Sequence, residues 1–313
     1  GGARRPARAI RSRWMPSLLA GITRLAGIAL LAACGPPGAA SRGAGPDPAP
    51  GYRLVPPLSA EAQARADSAV RIIEQMPADV WQARTFRGSN GVEMPYRLLA
   101  PENARPGERY PLVVVFHGSG EMGTDNARQL DRFPRAWARP EIRRAYPAYV
   151  LAPQMPERSA NYTAPPDSAR RASTPGRPLF TALELVDRLR QELPIDPSRV
   201  YAIGFSMGGS TTFQAVAHRP DLFAAAIPIA GVPDPAQAER TARTPLWIIH
   251  GNSDEANPIG PDRAFLPVLA AVPGARVTFW EYDAGEHRVP VDLLTTDAFA
   301  RWLWAHRKTH PRP

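Results

Sequence analysis

A serine flanked by glycines, an acid and a histidine, each standing just beyond a short apolar run, give this chain the residue types needed for acyl transfer. The serine lies in Gly204-Phe205-Ser206-Met207-Gly208-Gly209, a G-x-S-x-G pattern between the apolar run at 200–203 and a helix-like stretch from Met207 to His218. The glycines permit a tight turn that pushes the serine into strained exposure, and the helix that follows aims its amino-terminal dipole at the site. A serine hydroxyl is a weak nucleophile, so it needs a histidine base and a carboxylate to orient that base. Asp254, in His250-Gly251-Asn252-Ser253-Asp254-Glu255, and His287, in Asp283-Ala284-Gly285-Glu286-His287, complete the chain order serine, acid, histidine. Asp254 is preferred to Glu255, and Asp283 is too near His287 in sequence to reach it from a separate loop. A third turn, Phe116-His117-Gly118-Ser119-Gly120-Glu121, can gather backbone N–H groups around the oxyanion of a tetrahedral intermediate. The amides of Ser119 and Met207 are the expected donors. His117 and Gly118 read as structural, His250 as a brace of its own turn, and His218, His306 and His310 as solvated or structural. This chemistry calls for no cofactor and no metal.

Open α/β sheets place reactive groups at the carboxyl ends of their strands, so the elements before these turns should be strands of one sheet. Eight short apolar runs fit: 81–86, 95–99, 112–116, 149–152, 200–204, 226–229, 246–249 and 277–282. The later ones alternate with helix-like segments at 179–193, 207–218, 261–271 and 291–307, a rhythm that demands a mostly parallel eight-stranded sheet with helices on both faces. The first two runs, joined through Gly88-Ser89-Asn90-Gly91, read as an antiparallel hairpin at one edge. A helix is expected from Ser59 to Met76, and the proline-rich stretch 156–178 reads as a surface insertion. Only Ala230 to Thr244 separates the sixth run from the seventh, which leaves no room for a large lid.

The composition fits a globular enzyme behind an export signal. The chain has 313 residues, 44% of them apolar, with 37 prolines and a single cysteine, which excludes global disorder and an intrachain disulfide framework. The net charge of +9 would point to nucleic acid, but six of those charges (Arg4, Arg5, Arg8, Arg11, Arg13 and Arg24) fall in the first 33 residues, where no acid occurs. Nine less six leaves +3 for the remainder, an ordinary enzyme charge, and nucleic-acid binding is not expected. The arginine-rich start leads into an apolar run, residues 25–33, too short to span a bilayer, which reads as a secretory signal. Leu31-Ala32-Ala33-Cys34 resembles the lipobox of bacterial lipoproteins. That resemblance implies a signal peptide over 1–33, lipidation of Cys34 and attachment to the membranes of a bacterial cell envelope. Residues 34–58, rich in Pro and Gly, read as a tether, and residues 59–313 as the folded domain.

Taken together, these motifs resemble the α/β-hydrolases, close to the secreted esterases related to polyhydroxybutyrate depolymerases, feruloyl esterases and dienelactone hydrolase. The matching text is the 117–121 turn with Asp125-Asn126 and Gln129, Ala152-Pro153-Gln154, Asp196 to Gly209, and His250-Gly251 with Asp254. It covers roughly residues 80 to 305. Met122 replaces an arginine common after the Gly-Glu pair, and the loop of His287 lacks the tryptophan often found beyond that histidine; both departures bear on substrate choice. The resemblance implies an α/β-hydrolase fold and a serine esterase acting on small-molecule or polymer-attached esters, short-chain or aromatic. Met122, Trp137 and Tyr162 are candidates for favouring an aromatic acyl group. Two alternatives are weighed against it. A peptidase of the prolyl-oligopeptidase type would need a gating domain for which there is no space between Cys34 and the core. A non-catalytic, lipid-anchored binding protein would be expected to lack a triad member, and none is missing.

Overall fold

A computed structural model describes residues 50–168 and 170–309; the leader 1–33 and Cys34 lie outside the described residues. Its strands are β1 (Gly51–Val55), β2 (Trp81–Arg87), β3 (Glu93–Leu99), β4 (Tyr110–Phe116), β5 (Tyr149–Pro153), β6 (Ala160–Tyr162), β7 (Ser173–Pro175), β8 (Ile195–Phe205), β9 (Ala225–Ile229), β10 (Leu246–Gly251) and β11 (Val277–Tyr282). The helices are α1 (Ala60–Glu74), α2 (Arg132–Arg135), α3 (Pro140–Ala145), α4 (Arg177–Glu192), α5 (Met207–His218), α6 (Ala238–Thr241), α7 (Gly260–Ala270), α8 (Val291–Leu294) and α9 (Ala298–Trp304). One sheet carries nine of the strands in the order β1-β11-β10-β9-β8-β4-β5-β3-β2, and β6 pairs with β7 apart from it. Within the large sheet only β2 with β3 and β3 with β5 run antiparallel.

Side-chain alternation explains why both faces are covered. Val113 and Val115 of β4 join Val150, Ile203 and Ile249 in a core with Leu303 of α9 and Ile73 of α1. Leu112, Val114 and Phe116 face the other way, among Leu151, Ala202 and Ile248, against Leu183 of α4, Phe213 of α5 and Phe265 of α7. Helix α4 presents Leu179, Ala182, Leu183, Val186 and Leu189 at the three-and-four spacing of a buried stripe.

All eight expected strands are present, and a ninth joins them. The stretch read as a tether through residue 58 ends earlier, because Gly51–Val55 pairs in parallel with β11. Tyr52 sets its ring 5.9 Å from Phe279, and the Arg53 guanidinium lies 4.6 Å over Trp280. Four of the five β1 residues are exposed, so no apolar period marks the strand in the sequence. The helix expected over 291–307 is broken into α8 and α9. Thr295 and Thr296 turn their hydroxyls back onto the carbonyls of Val291 (2.7 Å) and Asp292 (2.9 Å), competing with helix continuation.

The 156–178 insertion is docked, not merely superficial. Its β6–β7 hairpin lies on α5 through Ser159 Oγ to Thr211 Oγ1 (2.7 Å) and Gln214 Nε2 to the Ser173 carbonyl (2.9 Å). Parallel pairing of β4, β8, β9, β10 and β11 points their carboxyl ends the same way, which gathers the loops at 117–121, 206, 252–257 and 283–287 along one edge.

Candidate active site

Ser206 sits between β8 and α5 at φ 58° and ψ −118°, a sparsely populated conformation for a residue with a side chain. Such strain costs on the order of 1–3 kcal/mol and persists only where the surroundings enforce it. Here two close approaches enforce it. A Cβ on Gly204 would lie 2.2 Å from the Gly208 carbonyl oxygen, and one on Gly208 would lie 2.1 Å from that of Phe116. Nothing larger than glycine lets the elbow close against the end of β4.

His287 Nε2 lies 2.8 Å from Ser206 Oγ, and its Nδ1 lies 2.7 Å from Asp254 Oδ2. With Nδ1–H donating to the carboxylate, Nε2 is free to accept the serine proton. Asp254 Oδ1 accepts the N–H groups of Ala256 (2.9 Å) and Asn257 (2.7 Å). Burial alone would raise the Asp254 pKa, but hydrogen bonds from His250, His287 and the Asn257 N–H outweigh it and hold the carboxyl well below its ordinary range. Loop positions are locked by Ser253 N–H to the Gly285 carbonyl (2.9 Å) and by the ring of Phe205, 4.8 Å from that of His287. The structure thus brings Ser206, Asp254 and His287 together. Glu255 is exposed, and Asp283 instead bonds Asn252 Nδ2 at 3.1 Å.

The 117–121 turn runs directly beside the serine. A Cβ on Gly118 would lie 3.6 Å from that of Ser206, and among the described residues no acceptor takes the backbone N–H of Ser119 or Met207. His117 holds this turn in place. Its Nε2 accepts the Met155 N–H at 2.9 Å, so Nδ1 must carry the proton that it donates to the Gly118 carbonyl at 2.6 Å. Burial depresses the His117 pKa to about 4, which keeps the ring neutral and preserves both bonds. Below the turn, buried Gln154 donates to the Glu121 carbonyl (3.2 Å) and Asp125 Oδ1 (2.8 Å) and accepts the Asn126 N–H (2.6 Å). Asp125, Asn126 and Gln154 are therefore the scaffold of the 117–121 turn.

His250 does brace its turn, donating from Nε2 to the Asn257 carbonyl at 2.7 Å, but it also reaches two carboxylates. Asp254 Oδ2 lies 3.3 Å from Nε2, and Asp262 Oδ2 lies 2.6 Å from Nδ1. Burial disfavours the imidazolium, yet the hydrogen bonds to Asp254 and Asp262 prevail and push His250 up to about 9. Asp254 is thus faced by two imidazoles. Sequence reading missed Asp262, although a signal was present: an acid shares the buried stripe of α7 with Phe265 and Leu269, three and seven residues on.

Of the side chains proposed to favour an aromatic group, Trp137 is withdrawn, since it is buried in the core and stacked on Trp304 at 6.5 Å. Met122 packs against the opposite core cluster. Tyr162 sets its hydroxyl 3.2 Å from Ser210 Oγ, in the first turn of α5.

A nucleophile elbow, an acid and a histidine at the carboxyl ends of a mostly parallel sheet define an α/β-hydrolase. The chain belongs to the family described as "Putative esterase", whose profile matches residues 88–289. It is 31% identical over 166 residues to "Putative esterase NocK" of Nocardia uniformis subsp. tsuyamanensis, covering 52% of this chain and 46% of that protein. It is 34% identical over 128 residues to poly(3-hydroxyalkanoate) depolymerase C of Paucimonas lemoignei, covering 39% and 28% respectively. The matches therefore span less than half the length of these relatives. Among solved structures, a thermostable esterase superposes with a TM-score of 0.67 at 35% identity, covering 74% of this chain and 64% of that one. The ferulic acid esterase AmCE1/Fae1A of Anaeromyces mucronatus shares the fold, with a TM-score of 0.52 at 16% identity over 72% of this chain and 90% of that one.

Proposed function

We propose that this chain is a serine carboxylesterase that works through an acyl-enzyme on short-chain or aromatic esters, with Ser206 as nucleophile, His287 as base and acid, and Asp254 as orienting carboxylate. The observation that carries the reading is the continuous hydrogen-bonded line from Ser206 Oγ through His287 to Asp254, at 2.8 and 2.7 Å. Ser206 Oγ attacks the ester carbonyl carbon while its proton passes to His287 Nε2. The N–H groups of Ser119 and Met207 hold the oxyanion, the step where preorganised donors contribute most. The tetrahedral intermediate collapses as His287 returns the proton to the departing alkoxide. Water, deprotonated by the same nitrogen, then releases the acid.

Two further points complete the proposal. Among the described residues, the short 230–244 connection and the hairpin docked on α5 leave the site without a large cover, which suits soluble or polymer-attached esters with acyl chains of roughly two to six carbons, since longer chains would find no trough in which to bury their methylenes. The lipobox resemblance at 31–34 supports an anchor on a bacterial cell-envelope membrane through Cys34.

Ser206→Ala tests the mechanism: hydrolysis and labelling by a serine-directed phosphonate should both disappear while the circular dichroism spectrum stays unchanged. Retention of wild-type turnover would overturn it. For the anchor, Cys34→Ser expressed in a bacterial host should leave the membrane fraction, and equal partition of both forms would sink that part.

A further inference from the structure

The β6–β7 insertion carries a cation that the fold leaves without a counter-charge. Arg171 is 7% exposed, yet its Nε is buried without a hydrogen-bond partner. Among the described residues its guanidinium makes one hydrogen bond, from Nη1 to Asn257 Oδ1 at 3.2 Å. Its remaining support is the ring of Tyr162, 3.9 Å from the guanidinium carbon. Arg158 lies over the same ring at 5.1 Å and donates from Nε only to the Ala160 carbonyl. No carboxylate stands within ion-pair distance of either arginine among the described residues. Glu157, the nearest acid in sequence to Arg158, is taken by Arg177 at 3.0 Å.

Several other partly buried arginines of this chain are neutralised by a carboxylate, and Arg97 and Arg135, which are not, are satisfied by several backbone carbonyls. Arg199 pairs with Asp196 (2.6 Å), Arg143 with Glu102 (2.8 Å), and Arg219 with both Asp187 and Asp221. Burial without a partner is unfavourable for a guanidinium and depresses the basicity of Arg171. A second arginine over the same ring adds repulsion. Two unneutralised cations on one tyrosine would be a liability for a purely structural hairpin, whereas an incoming anion relieves both.

Their position relates them to the catalytic line. Tyr162 bonds Ser210 Oγ, which in turn donates to the carbonyl of Ser206 at 3.3 Å. Asn257, the partner of Arg171, gives its own N–H to Asp254 Oδ1 at 2.7 Å. Arg171 is therefore one residue removed from both the first turn of α5 and the carboxylate of the triad.

We infer that Arg171, aided by Arg158 across Tyr162, forms a subsite for a carboxylate carried by the ester substrate a few atoms from the scissile bond. A carboxylate matches the planar edge of a guanidinium in size and geometry, and a partly dry site strengthens the pairing. This assignment rests on the esterase reading and narrows its substrate class to esters with a free acid group.

The test compares matched p-nitrophenyl esters: butyrate against hydrogen succinate, in which a carboxylate replaces the terminal methyl, with hydrogen glutarate as a longer arm. The ratio of kcat/KM for the anionic over the neutral ester should fall on the order of ten- to a hundredfold in Arg171→Met, mostly through KM, as expected for loss of a charge-assisted hydrogen bond. Arg171→Lys should recover part of it, and 0.5 M NaCl should lower the wild-type ratio. A ratio that moves less than about threefold in Arg171→Met, or a loss that is equal for both esters, overturns the subsite. If Arg171→Met fails to fold, Arg158→Met and the salt dependence of the wild-type ratio decide, and a flat result in both overturns it. Phosphonate labelling of Ser206 and butyrate turnover report on the esterase reading separately. Labelling with a flat ratio removes only the subsite, while absence of labelling and turnover removes both.

Discussion

His117 should make the stability of this protein sensitive to mild acid, and the effect can be worked from its surroundings. The ring is 4% exposed, accepts the Met155 N–H at Nε2 and donates to the Gly118 carbonyl from Nδ1. Protonation at Nε2 would turn that acceptor into a donor facing another donor. Its pKa accordingly falls from the ordinary 6.5 to about 4, with burial the leading cause. The sign follows from proton counts: between these two values the unfolded chain binds a proton at His117 and the folded chain does not, so stability drops as pH falls through 6.5 and levels off below about 4. The gap corresponds to about 3 kcal/mol for a buried group. In His117→Asn the titrating group is gone. That variant should lose about 1–3 kcal/mol at pH 7 from the missing Met155 bond, yet be less sensitive to acid than the wild type. Urea unfolding followed by tryptophan fluorescence at pH 7, 6, 5 and 4 measures both effects. The stability difference between the two proteins should move by about 3 kcal/mol in favour of the variant across the series, closing or reversing the gap seen at pH 7, because the other titrating groups are common to both. A difference that stays constant from pH 7 to 4 would refute the neutral, doubly bonded His117 and with it this account of how the oxyanion turn is held.

Other perturbations reach different parts of the site. Asp254→Asn offers an amide where Nδ1–H of His287 now donates, which favours the wrong tautomer, and kcat should fall by about a thousandfold or more with KM little changed; a loss under tenfold in ester assays would count against Asp254 as the orienting acid. Gly208→Ala sets a Cβ 2.1 Å from the Phe116 carbonyl oxygen, so the turn beside the serine must shift; turnover should fall at least tenfold along with the melting temperature, and normal kinetics would disprove the close approach. Starting the chain at residue 56 instead of residue 50 removes β1 and uncovers the edge of β11, including the Phe279 and Trp280 contacts. The melting temperature should drop by several degrees for a loss of about 1–2 kcal/mol, and identical melting of the two forms would return 51–55 to the tether.

What the sequence determined by itself was local. Apolar runs of four to six residues with turns behind them marked eight strands, because a strand buried on both faces needs a continuous apolar stretch. The elbow was legible because Gly204 and Gly208 answer a steric demand within five residues, and Asp254 and His287 because each follows such a run in the expected order. Tertiary structure decided what depends on partners distant in the chain. Strand β1 exists only because β11 offers an edge, and its own residues are mostly exposed. Trp137 went to the core because Trp304, far along the sequence, stacks on it. The raised pKa of His250 required Asp262 and Asp254 to meet it from separate segments, and the uncompensated charge of Arg171 is visible only once every nearby acid has been placed. Periodicity and steric fit act over a few residues and can be read from the chain, whereas burial and electrostatics sum over neighbours that only the folded sheet brings together.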